Sequence, residues 1–361
     1  MIAATVSAID LALIDATLCD AAQLALPLAP LEPLNSEDEQ AKVAADPGHQ
    51  PQFVYLKQEQ ASVETMRATL DRLALPDGVS WYFHEAREYL LKRLTLRLHL
   101  GDDEYWAQPL YPAAPQTVRT LARGILADPP PPTEPPKRPF RSNHVVKLIQ
   151  ARFDQYGLKD WRVLARHNLS STNTDSANRV VNVRADISYS LEEMKRLVVH
   201  EVDTHVLHSA NGALQPFRAL AVGAAPSYLM TEEGLAVINE ERMGYVETER
   251  TRLFAGRVLA SHRAATGSFS EVYTEQRDYG FGHDEAFLTT KRVKRGLHDT
   301  AQPGGFLKDH AYLWGRVLVE EFVLGGGNLW DLYAGKISIE HLALKEELSL
   351  EPATYLPLPY I

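Results

Sequence analysis

Most of the chain carries apolar residues at the three-to-four-residue spacing of helices with one buried face. The opening stretch is Ala- and Leu-rich and reads as a helix. The Pro-rich, charged segment after it, "PLAPLEPLNSEDEQAKVAADPGHQP", reads as a loop. Helical spacing returns over 59–75, 84–99 and 114–126, with stops at Pro76-Asp77-Gly78 and at Gly101. Residues 127–139, "ADPPPPTEPPKRP", form a stiff, extended run. A boundary there divides a mainly helical N-terminal region, 1–140, from a second unit, 141–361. The same run could instead strap the surface of one body.

Beyond it the period changes. Residues 142–158 read as a helix, while "WRVLAR" (161–166) and "RVVNVRADI" (179–187) have the β-branched, alternating character of half-buried strands. Ser190-Leu191-Glu192-Glu193 is a capping box opening the next helix, which is expected to stop at Asn211-Gly212. The remainder is mostly helical. Two strands followed by helices give an α+β class.

Composition narrows the picture only a little. The chain has 361 residues, 45% hydrophobic and 23% charged, enough for two or three average domains or one large domain with an appendage. A net charge of -10 argues against nucleic acid or an anionic membrane as main partner, since both reward clustered Lys and Arg. A single cysteine, Cys19, rules out an intrachain disulfide. The N-terminus carries Asp10, Asp15 and Asp20 and no early Lys or Arg, unlike a signal peptide. No run of about 20 apolar residues stands out, so no membrane span is expected. A cytoplasmic protein is expected.

The chemistry concentrates in "LVVHEVDTHVLHSANG" (197–212). On an ideal helix residues five apart are turned by about 140°, so His200 and His205 cannot grip one ion. A π-bulge absorbs one residue and realigns them. The bland alternative is one histidine in the core and the others in water. Downstream, "TEEGLAVINEERM" offers Thr231 as an N-cap, with Glu232 and Glu233 in the first turn, where acids are favourable in any case. Glu233 is a candidate third ligand and Glu232 a candidate acceptor for a ligating imidazole. Glu201 stands where a metallohydrolase carries its general base. His208 is an alternative third ligand.

"HEVDTH", "NGALQPF" and "TEEGLA" together resemble the QEGLA-motif family, also called the domain of unknown function 1704 family. Its eukaryotic branch includes the microtubule-associated tyrosine carboxypeptidases. "PQFVYL" (51–56), "NRVVNVRADISYS" (178–190), "RVKRG" (292–296) and "LKDHAYLWG" (307–315) resemble further family blocks, so the likeness spans roughly residues 50 to 345. Two departures stand out: Glu232 replaces the family's Gln, and Leu307 stands where Thr is frequent. The first 45 residues match no family block.

The resemblance implies a zincin-like metallopeptidase with one Zn2+ held by His200, His205 and Glu233, and Glu201 as base. It further implies a carboxypeptidase acting on a peptide or protein C-terminus, such as one ending in an aromatic residue. Tyr312 is then the candidate oxyanion donor, and Arg295 and Lys308 the candidate cations for the substrate carboxylate. The strand "RVVNVRADI" is a candidate edge for pairing with substrate backbone. Two other readings remain open: a dipeptidyl-peptidase-like exopeptidase with the same histidine spacing, and a non-enzymatic metal-binding regulator.

Overall fold

The computed structural model describes residues 8–56, 60–129, 137–167, 172–245 and 248–359. It is a mixed α+β chain, predominantly helical, in line with the patterning. Helices α1 (Ala8–Ala25), α2 (Ser36–Ala45), α3 (Gln60–Arg72), α4 (Trp81–Leu98), α5 (Asp103–Trp106) and α6 (Gln116–Ala127) precede the Pro-rich run, of which 130–136 lie outside the described residues. The four helices predicted there from periodicity are present. Helix α2 corrects the loop expected at its position. Glu37, Asp38 and Glu39 fill its first turn, where acids meet the positive end of the helix dipole, and Val43 is buried.

By length and composition the stretch Asp10–Ala45 resembles a membrane span, which the sequence reading did not anticipate. Ile14, Leu18, Ala21, Ala22 and Ala25 of α1 are nevertheless packed in a core with α3 and α4.

Helix α7 (Ser142–Tyr156) lies between strand β1 (Phe140–Arg141) and a small sheet of β2 (Arg162–Arg166), β3 (Asn173–Asp175) and β4 (Val180–Arg184). Strand β5 (Ser188–Tyr189) pairs with β1. The sheet order is β2-β4-β3, with β2 parallel to β4 (Arg162 opposite Val180) and β3 antiparallel to it (Asn173 opposite Asn182). The strand expected to be the edge, β4, is therefore the centre of the sheet. Its buried Val180, Val181 and Val183 suit that place. The outer strands are β2 and β3, and the polar "NTD" of β3 gave no strand signal.

The next helix opens on the predicted capping box, Ser190 Oγ accepting from Glu193 N at 3.0 Å and Ser190 N donating to Glu193 Oε2 at 2.7 Å. It runs as α8 (Leu191–Leu197), a π-helical segment Val198–Val206, and α9 (Leu207–Gly212). Then come α10 (Ala219–Val222), α11 (Tyr228–Arg242), α12 (Thr248–Ala264), α13 (Phe269–Asp278), α14 (His283–Lys294) and α15 (Ala311–Leu324).

Two cores flank the π-helical segment. One joins Leu18, Leu70, Tyr82 and Leu90 to Ala219, Leu220, Ile337 and Leu348, so the N-terminal helices share apolar packing with residues far beyond the Pro-rich run. The other joins Ile149 and Phe153 of α7 to Val181, Val183, Val202, Val206 and Leu235. Helices α11 and α15 cross at Gly234 and Gly315. A Cβ on Gly234 would lie 2.1 Å from the Gly315 carbonyl carbon, and one on Gly315 2.0 Å from Met230 O. Only glycine permits that approach, and it sets Glu233 close to the turn that carries Tyr312.

The remaining family-like blocks lock together around this crossing. Phe53 N donates to His298 O at 2.8 Å, and Gly296 N to Tyr55 Oη at 2.8 Å. Arg292 grips Asp309 with two bonds of 2.5 and 2.9 Å, tying "RVKRG" to "LKDHAYLWG".

Candidate metal centre and cleft

The extra residue between the histidines is absorbed by backbone geometry. Through Val198–Val206 the helix bonds five residues back, and Thr204 Oγ1 adds a bond to Val199 O at 3.1 Å. His200 and His205 therefore share one face, their rings meeting edge to face with centroids 4.9 Å apart. The π segment is nine residues long, more than the single bulge the spacing required. Asp203 points the other way, to Arg152 at 2.8 and 2.9 Å and Tyr156 Oη at 2.8 Å, and anchors the segment to α7.

Glu233 Oε2 lies 3.6 Å from His200 Nε2 and 3.9 Å from His205 Nε2. One ligand atom from each of these three buried residues falls within 4.8 Å of the others. Ligands placed tetrahedrally at 2.0–2.1 Å from a zinc ion sit roughly 3.3 Å apart, so a small closure would fit the group. Glu233 Oε2 is buried and has no hydrogen-bond partner among the described residues, a costly state that a cation would relieve. Burial alone would raise the Glu233 carboxyl, but His200 and Lys308 outweigh it and hold it at about 2. Burial likewise opposes charging His200, yet Glu233 and Glu240 lift the ring to about 10. Glu233 is thus held as a carboxylate against the two rings. His208 is not part of this cluster. It is fully buried, and burial lowers its pKa.

Acidic residues orient both candidate ligands. His200 Nδ1 meets Glu240 Oε1 at 2.8 Å, and His205 Nδ1 meets Glu232 Oε2 at 3.1 Å. Glu232 also reaches His208 Nδ1 at 3.2 Å and pairs with Lys336, both partners almost fully buried. Lys336 compensates the charge that replaces the family's Gln. Glu240 is in turn held by Arg250 at 2.9 and 3.0 Å and by Arg196 at 3.4 Å. Sequence reasoning found Glu232 but missed Glu240, Lys336 and Arg250. The one available signal for Glu240 was its seven-residue spacing from Glu233, which puts both on one face of α11.

The same helix corrects the N-cap reading. Helix α11 begins at Tyr228, so Thr231 lies inside it and its Oγ1 accepts from Ile339 N at 3.0 Å. Glu232 and Glu233 lie in the second turn and reach the site as interior side chains.

Glu201 follows His200 on the π segment and is also buried. Thr174 Oγ1 donates to its Oε2 at 2.8 Å, fixing the carboxylate against β3. Tyr312 stacks on Phe254 with centroids 5.0 Å apart and lies 6.4 Å from the His200 ring. Burial raises its phenol pKa, so it stays protonated. Lys308 Nζ is 3.8 Å from Glu233 Oε1. Arg295 also borders the cleft, but its Nη1 donates to Glu32 Oε1 at 2.8 Å and its charge is largely matched there.

These side chains line one cleft of about 640 Å³. Strand β3 and the turn after it, through Asn178, form one wall; Leu26, Leu28 and Glu32 from the N-terminal region contribute to another. The lining includes ten Lys and Arg but five Asp and Glu, so an acidic chain encloses a basic cleft.

A profile described as microtubule-associated tyrosine carboxypeptidase matches residues 50–359, and the chain belongs to that family. Microtubule-associated tyrosine carboxypeptidase 1 of Homo sapiens is 34% identical over 145 residues, 38% of this chain and 29% of the human protein. The proteins of that name from Mus musculus and Rattus norvegicus are each 32% identical over 168 residues. The matched region spans about a third of these relatives' length: 29%, 34% and 34%.

Proposed function

We propose that this protein is a zinc-dependent carboxypeptidase with a zincin-like catalytic unit, removing the last residue of a peptide or protein. The observation that carries the reading is the convergence of His200, His205 and the unpartnered oxygen of Glu233. Two imidazoles and one carboxylate suit zinc better than a hard cation. Bound there, the ion would supply Lewis acidity to a water and to the scissile carbonyl.

The chain's own groups do the rest. Glu201, steadied by Thr174, accepts the water proton and passes it to the leaving amine. Tyr312 keeps its proton and donates it in a hydrogen bond to the oxygen on which charge develops. Strand β3 is an outer strand that borders the cleft beside Glu201, and an extended substrate adds to it by backbone pairing. Lys308 supplies positive charge beside Glu233. Tyr89, Tyr111, Tyr228 and Leu28 give the cleft an apolar, aromatic part suited to an aromatic terminal residue, in keeping with the relatives' name. A cytoplasmic location belongs to the same proposal.

The test is turnover of peptides that differ only in the last residue, with Glu201→Gln beside wild type. Loss of one terminal residue, slowed about 10²–10⁴-fold in the variant, is expected for removal of a general base. Internal cleavage, or equal turnover by the variant, would refute the reading.

A further inference from the structure

We infer that Arg257, on α12, is the residue that captures the substrate's terminal carboxylate; the inference rests on the carboxypeptidase reading and names its specificity determinant. The cations facing the metal centre are nearly all spent. Arg292 is paired with Asp309, Arg295 with Glu32, Lys336 with Glu232, and Arg250 with Glu240. Lys308 faces Glu233 at 3.8 Å. Arg257 lines the same cleft and makes no hydrogen bond or ion pair among the described residues.

Its contacts are aromatic. The guanidinium carbon lies 4.9 Å from the centre of the Tyr312 ring and 5.9 Å from that of Phe254. Such contacts occupy the flat face of the group and leave its in-plane N–H donors unsatisfied. The Nε of Arg257 is buried and unpartnered. An inward, unpaired guanidinium is costly unless an anion completes it, and a carboxylate matches its fork with two parallel bonds.

The position is also right. Tyr312 bridges Arg257 and the His200 ring, at 4.9 and 6.4 Å respectively. In a terminal residue the carboxylate carbon lies within about 4 Å of the scissile carbonyl carbon. Arg257 and the His200 ring lie on the same tyrosine, so a carboxylate held at Arg257 belongs to a residue whose scissile bond lies at the metal centre, and the site selects for chain ends. Sequence reasoning chose Arg295 and Lys308 because they fall in a recognisable block, whereas Arg257 lies in a helix that resembles no motif.

The test is binding in the Glu201→Gln background, by fluorescence anisotropy. The probe is a fluorescein-labelled octapeptide of Gly and Ser ending in Tyr, as free acid and as C-terminal amide. A charge-assisted bidentate contact predicts that the acid binds on the order of 30-fold tighter. Arg257→Gln should collapse that ratio towards 1, and Arg257→Lys should restore part of it. A purely structural Arg257 would weaken acid and amide alike, so an unchanged ratio in Arg257→Gln overturns the inference, as does a ratio near 1 with Arg257 intact. Acid preference that depends on Arg257 without turnover by wild type would sink the hydrolase reading and leave the carboxylate site standing.

Discussion

Replacing Gly234 by Ala probes the crossing that places Glu233 beside Tyr312. The added Cβ would sit 2.1 Å from the Gly315 carbonyl carbon, 2.2 Å from its oxygen and 2.7 Å from Arg316 N, against an ordinary contact of 3.4 Å or more. All three atoms are backbone, so no side chain can rotate away and the helices must part by about 1 Å. Overpacking of this kind costs on the order of 3 kcal/mol. At this chain length that lowers Tm by roughly 5–10 °C. Gly124→Ala on α6 is the control, because nothing lies within 4 Å of its Cβ and alanine is the better helix former. It should leave Tm unchanged or raise it slightly. Differential scanning fluorimetry on both variants reads the contrast. Gly234→Ala as stable as wild type would refute the close crossing and the placement of Glu233 that depends on it.

Glu240→Ala should lower zinc affinity about 10–100-fold in chelator competition, because His200 loses the acceptor that fixes its ring; unchanged affinity would remove Glu240 from the site. His310 is buried, and burial pulls its pKa down from 6.5 to about 4. The unfolded chain takes up this proton before the folded one does, so the stability is complete above pH 6.5 and is lost as pH falls through 4. His310→Leu should flatten the acid limb of stability by at most about 3 kcal/mol, and an unaltered limb in urea titrations between pH 7 and 4 would contradict it.

The site was legible where chemistry is local in sequence. The His200–His205 spacing demands a π turn if both rings are to meet, and the π segment is there. Ser190 to Glu193 announced the start of its helix because a capping box needs only four neighbouring residues. What escaped was long-range or unpatterned. Lys336 meets Glu232 across 104 positions and Arg295 meets Glu32 across 263, and no periodicity reports such pairs. Strand β3 is three polar residues whose backbone bonds to β4 make it a strand. Helix α2 hid behind flanking prolines. Residues before 50 lie outside the matched family region, yet Leu26, Leu28 and Glu32 form cleft wall and α1 packs in the core.

The most direct test of the central claim is metal content by elemental mass spectrometry, wild type beside Glu233→Ala. About one zinc per chain is expected in wild type and none in the variant, with His200 and His205 too few to hold it alone. Wild-type protein that takes up no zinc when supplied with it, or a variant that retains it, would contradict the assignment of His200, His205 and Glu233 as a metal site.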